Sequence, residues 1–120
     1  MTKKILIINE SPASMGMVKK ELEDEDYVVS EVKTGKEGIE AASKEKPDVV
    51  MVDIALPDIN GLEVCKKIRQ NSGRNAPKII VLTAVVDVVD AIAARRAGAD
   101  DFCVKSIDMS NLVEAVKKLI

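Results

Sequence analysis

The chain reads as one doubly wound α/β domain, a five-stranded parallel sheet with helices on both faces, and three observations predict it. Short apolar runs alternate five times with stretches of helical periodicity. The run Val49, Val50, Met51, Val52 is apolar at every position, as a central strand covered on both sides requires. Connections between runs are short, so successive strands are joined through helices by right-handed crossovers into one parallel sheet. At 120 residues the chain makes one domain, 1–120, long enough to bury roughly two thirds of the surface its unfolded form exposes.

The first strand is Ile5 to Ile8, running into Asn9 and Glu10. Ser11 and Pro12 open a helix, since proline at the first helical position gives up an amide that has no partner there. That helix carries Met15, Val18 and Leu22 at helical spacing. A second strand, about Tyr27 to Val32, leads to Thr34 and Glu37, a capping box in which each side chain satisfies the other's orphan amide. The second helix runs to about Lys44. The third strand stops at Asp53, before the loop Ile54 to Gly61. Asn60 and Glu63 repeat the capping box ahead of a third helix with Leu62, Cys65 and Ile68. The fourth strand, Ile79 to Leu82, runs into Thr83, and a helix from about Val86 to Ala97 stops at Gly98. Phe102 to Val104 is the fifth strand, running into Lys105. A last helix follows a cap at Asp108 and shows Leu112, Val116 and Leu119.

Composition narrows the function classes. Eighteen basic and 20 acidic residues, dispersed for a net charge of -2, form no basic stripe for a phosphate backbone, so direct nucleic-acid binding is not expected. The apolar stretch after Lys3 and Lys4 is shorter than the roughly 7 residues of a signal-peptide core. Nothing approaches the roughly 18 apolar residues of a membrane span. Cys65 and Cys103 lack CxxC spacing and read as buried thiols in a reducing cytoplasm. With no histidine, imidazole-dependent nucleophiles and zinc sites are excluded, and any metal is left to oxygen ligands, which favours a hard cation such as magnesium.

Chemistry converges at one edge. Four strands end in Asn9 and Glu10, in Asp53, in Thr83 and in Lys105, so two carboxylates, an amide, a hydroxyl and an ammonium meet at the C-terminal edge of one sheet. Each residue alone has an ordinary reading as a turn former, strand residue or solvated charge. Their coincidence points to a site. In a flavodoxin-like sheet of order 2-1-3-4-5, ligands sit where the order reverses, between the first and third strands, where Glu10 and Asp53 would face each other.

The pattern from Lys4 to Glu10, the segment Asp48 to Gly61 (DVVMVDIALPDING), Val81 to Ala84 (VLTA) and Gly98 to Lys105 (GADDFCVK) together resemble the receiver domain of two-component response regulators, chemotaxis-regulator-like, over essentially the whole chain. The resemblance implies that Asp53 accepts a phosphoryl group from the phosphohistidine of a sensor histidine kinase or phosphotransfer protein. It assigns a magnesium ion to Glu10, Asp53 and the Ala55 carbonyl, with Asn9 reaching it through water. Lys105, Thr83 and the Ala84 backbone amide are assigned to the phosphoryl oxygens. Thr83 and Phe102 would be the switch, altering the surface of the fourth helix, fifth strand and fifth helix for an effector, an output domain or a second copy. On this reading the chain is a signalling domain that assists its own phosphorylation and dephosphorylation, not a conventional enzyme.

Four departures from the family's pattern are visible. Asn9 and Glu10 stand where two aspartates are usual, Ser106 stands in place of a proline, and Phe102 replaces a tyrosine. Ala55 and Val85, flanking the acceptor, offer no polar side chain to hold hydrolytic water. An aspartyl-nucleophile phosphohydrolase would want a second acid where Ala55 stands, and a flavin or nucleotide carrier would want a glycine- or hydroxyl-rich first loop, which Asn9 to Ser14 does not supply. A degenerate receiver acting only as a phosphorylation-independent interaction module stays open. The fourth helix, with Val85, Val86, Val88, Val89, Ile92 and Ala93, carries more apolar surface than one core-facing stripe, which is either plain filling or a partner face.

Overall fold

A computed structural model describes residues 2–10, 15–84, 88–105 and 110–120. Its elements are β1 (Lys4–Ile8), α1 (Gly16–Asp24), β2 (Val28–Val32), α2 (Gly35–Glu45), β3 (Val49–Asp53), α3 (Gly61–Ser72), β4 (Lys78–Thr83), α4 (Val88–Arg96), β5 (Asp101–Val104) and α5 (Ser110–Leu119). A short 3-10 turn, Gly73–Asn75, follows α3. The five strands are parallel, in the order β2-β1-β3-β4-β5. The predicted fold class and strand order are therefore those of the structure. The helix opening at Ser11 and Pro12, the start of the fourth helix near Val86, and the cap at Asp108 lie outside the described residues.

Side-chain alternation along the strands divides the core in two. Ile5, Ile7, Val49, Met51, Ile80 and Leu82 point to the side where α1 and α5 pack through Val18, Leu22, Leu112 and Val116. Leu6, Ile8, Val50, Val52, Ile79 and Val81 point the other way, onto Ala42 of α2, Val64, Cys65 and Ile68 of α3, and Ala94 of α4. Every residue of β3 is buried, which is why its sequence shows no polar alternation.

Capping differs in detail from the sequence expectation. The Thr34 hydroxyl oxygen accepts from the Glu37 amide at 3.1 Å as expected, but the Glu37 carboxylate accepts from the Thr34 hydroxyl at 3.0 Å instead of from its amide. The Asn60 side chain accepts from the Leu62 amide at 2.7 Å, one position short of a capping box, and Glu63 pairs with Lys66 at 3.6 Å. Asn60 is at φ -67° and ψ 138°, an extended entry in which the short carboxamide meets the second helical amide first.

Cys65 is buried and its thiol donates to the Ala97 carbonyl at 3.3 Å, whereas Cys103 is only half-buried because β5 is an edge strand. Burial pushes both thiols up to about 11, aided at Cys103 by the Asp101 carboxylate. Raised folded values mean that the neutral thiols contribute stability fully below their ordinary value near 9.0, and that this is lost as pH climbs through about 11. Wild type should lose denaturant resistance across that window more steeply than a Cys65→Ala/Cys103→Ala variant. Equal slopes would show that other groups govern the alkaline limb.

Candidate phosphoacceptor site

Parallel register sets the site. Asp53, the last residue of β3, pairs with Leu82, and the ladder continues past it as the Ile54 amide donates to the Leu82 carbonyl at 3.0 Å. On the next strand, the Lys105 amide donates to the Thr83 carbonyl at 2.8 Å, holding Lys105 one step beyond β5. From there the Lys105 side chain reaches across β4, and its Nζ lies 2.5 Å from Asp53 Oδ2. Both side chains are largely withdrawn from water, Asp53 10% and Lys105 16% exposed, so their attraction is poorly screened. Asp53 Oδ1 accepts the Ala55 amide at 3.1 Å, an Asx-type turn that orients the carboxylate.

The other predicted residues gather at the same edge. Asn9 is buried, and its amide donates to the Val32 carbonyl at 3.0 Å, extending the β1–β2 ladder. Glu10 follows it and is exposed. Thr83 is buried at the end of β4, and Ala84 beyond it is exposed. Phe102 pairs in register with Val81, so alternation puts it on the same sheet face as Thr83, one strand over and two residues back. The topology thus brings Asn9, Asp53, Thr83 and Lys105 to one rim. Ser106 and Val85 lie outside the described residues.

Asp58 is the residue the sequence reading missed. Its carboxylate accepts the Gly35 amide at 2.8 Å and the Lys36 amide at 3.0 Å, tying the loop after Asp53 to the N-terminus of α2. Those two amides hold its carboxyl below the usual carboxylate range. An Asp in a strand-to-helix loop is a weak signal in sequence, since its partners are 23 and 22 residues away.

The donor chemistry fits a hard divalent cation. Asn9, Glu10, Asp53 and the Ala55 carbonyl offer oxygen alone, with two carboxylates. Among the described residues no three acidic, histidine or cysteine side chains are grouped to hold a metal. Asn9→Asp should tighten magnesium binding by about tenfold in a direct titration at fixed salt, because one unit of attraction is added at close range. The same variant should melt lower without magnesium, since it buries a second carboxylate beside Asp53. Equal dissociation constants would remove the electrostatic reading of Asn9.

Comparison with known proteins agrees with this geometry. The family described as the response regulator receiver domain matches residues 5–117. Response regulator ArlR of Staphylococcus saprophyticus is 38% identical over 117 residues, which are 98% of this chain and 52% of that protein. The chain therefore spans about half the length of the curated relatives it matches. Chemotaxis protein CheY4 of Vibrio cholerae superposes with a TM-score of 0.91 at 25% identity, covering 100% of both chains. Response regulator protein TrrA of Thermotoga maritima, solved in complex with Mg(2+)-BeF, gives 0.86 at 34% identity, covering 99% of this chain and 100% of that one. In sequence and in structure, this chain belongs to the response-regulator receiver-domain family.

Proposed function

We propose that this domain, residues 1–120, accepts a phosphoryl group on Asp53 from the phosphohistidine of a sensor histidine kinase or phosphotransfer protein, with magnesium. The observation that carries this reading is the Lys105 ammonium reaching over β4 to Asp53 at the edge where strand order reverses. An Asp53 carboxylate oxygen attacks phosphorus in line, the P–N bond breaks, and its electron pair leaves on the imidazole. Lys105 then pairs with the phosphoryl oxygens, and the Thr83 hydroxyl and Ala84 amide take the remainder, meeting charge where it appears. Glu10, Asp53 and the Ala55 carbonyl would hold magnesium, with Asn9 contributing through water. When bound, the ion offsets the repulsion between two anionic reactants and orients the attack. A similar receiver solved with Mg(2+)-BeF supports this assignment.

The output follows from shared placement. Thr83 and Phe102 occupy one face of adjacent strands, so drawing Thr83 toward a phosphorylated Asp53 opens space for the Phe102 ring. The face of α4, β5 and α5 then changes its affinity for an effector, an output domain or a second copy. Among the described residues no helix is long and apolar enough to cross a membrane.

The test is intact mass after incubation with acetyl phosphate and magnesium. Wild type should gain one alkali-labile phosphoryl group, with acetate leaving, and Asp53→Asn should gain none. An increment that persists in Asp53→Asn would move the acceptor elsewhere. If neither acetyl phosphate nor a cognate phosphohistidine donor modifies wild type, the domain is a degenerate receiver that works by binding alone.

A further inference from the structure

We propose that the groove between α3 and α4 docks an acidic amphipathic helix of a partner protein. The groove is about 470 Å³, lined by Leu62 and Lys66 from α3 and by Ile92, Ala93 and Arg96 from α4. It lies on the α3 side of α4, apart from the α4–β5–α5 face.

Its floor is apolar and partly uncovered. Ile92 is 50% exposed, although isoleucine is among the residues most often found inside. Leu62 and Ala93 are half-buried beside it. The rim is cationic, since Lys66 and Arg96 are both exposed. Arg96 has no ion-pair partner among the described residues, and Lys66 has only the exposed Glu63 at 3.6 Å, a weak pair.

The two walls repeat one pattern. Leu62 and Lys66 are four residues apart, as are Ile92 and Arg96, so each helix presents an apolar residue and, one turn later, a cation on the same face. Both helices lead away from the acceptor edge, so the apolar end of each wall faces that edge and the cationic end faces away. A complementary helix carries apolar residues at i and i+3 or i+4, with Asp or Glu about a turn beyond. A nucleic-acid backbone would use the cations but leave the apolar floor uncovered.

The test pans the unphosphorylated chain against displayed random peptides of about 16 residues, roughly 24 Å as a helix. Because no phosphoryl group is involved, failure here and failure at Asp53 are separate results. Enriched peptides should be acidic with helical apolar spacing, and a synthetic peptide of the leading sequence should shift the amide resonances of Leu62, Lys66, Ile92, Ala93 and Arg96. Its affinity should fall about tenfold or more in Ile92→Ser and in Lys66→Glu/Arg96→Glu, with circular dichroism unchanged because these positions are exposed or at the rim. A lysine-rich version of the peptide should prefer the charge-reversed variant. Shifts centred elsewhere, no acidic enrichment, or a mixed-sequence DNA duplex binding these residues more tightly than the peptide would each overturn the proposal.

Discussion

Gly61→Ala should lower unfolding stability by about 2–4 kcal/mol and slow the proposed phosphorylation of Asp53, because the added methyl has nowhere to go. A Cβ at Gly61 would sit 2.1 Å from the Asp53 carbonyl oxygen and 2.8 Å from both the Asp53 carbonyl carbon and Ile54 Cα. All three are backbone atoms, so relief requires moving the chain that carries Asp53. The same approach lets the Gly61 amide donate to the Ile54 carbonyl at 2.9 Å, closing the loop that begins at Asp53. Gly16 is the control. Nothing lies within 4 Å of a Cβ there, and Gly16→Ala in α1 should be neutral or stabilising by up to about 1 kcal/mol. Denaturant titration of both variants, with the initial phosphorylation rate in acetyl phosphate, distinguishes the two. A Gly61→Ala protein as stable and reactive as wild type would mean the loop relaxes at no cost.

Arg69→Met is expected to cost about 2–4 kcal/mol through a network at the opposite edge of the sheet. The Arg69 guanidinium donates from Nε to the Gly98 carbonyl at 2.7 Å and from Nη1 to the Pro77 carbonyl at 3.0 Å. Its Nη2 pairs with Asp100 Oδ2, which also accepts the Ile79 amide at 2.8 Å. One side chain of α3 thus joins the start of β4, the end of α4 and the approach to β5. Methionine keeps the stem and leaves a half-buried carboxylate and two carbonyls without it. Adding Asp100→Asn removes the stranded charge while keeping an acceptor for Ile79, so the double variant should regain part of the loss, with a coupling of about 1 kcal/mol or more in a double-mutant cycle. Strict additivity would show that the pair does not interact energetically.

The amino-acid sequence alone determined the fold class and which polar residues end the strands at one edge of the sheet. Both rest on local regularities: helical and strand periodicity, and the places where apolar runs stop. Thus β3 was legible as a buried central strand from Val49 to Val52, and Asp53 as its polar terminus. Parallel strands joined by helices must present their carboxyl ends at one edge, so Asp53, Thr83 and Lys105 were bound to converge before any distance was known.

Only the tertiary structure decided which atoms touch. That Lys105 reaches Asp53 depends on β5 lying two strands from β3 and on side-chain reach across β4, a pairing of residues 52 apart. The role of Asp58 on α2 and the Arg69–Asp100 network also join positions more than 20 apart, with no periodicity to announce them. Cys103 reads like Cys65 in sequence, yet one is half-buried and the other buried, because β5 is an edge strand and the Cys65 face of α3 is covered. Local pattern sets where a chain turns polar, whereas contact partners follow from packing elements whose sequence separation carries no signal of their distance.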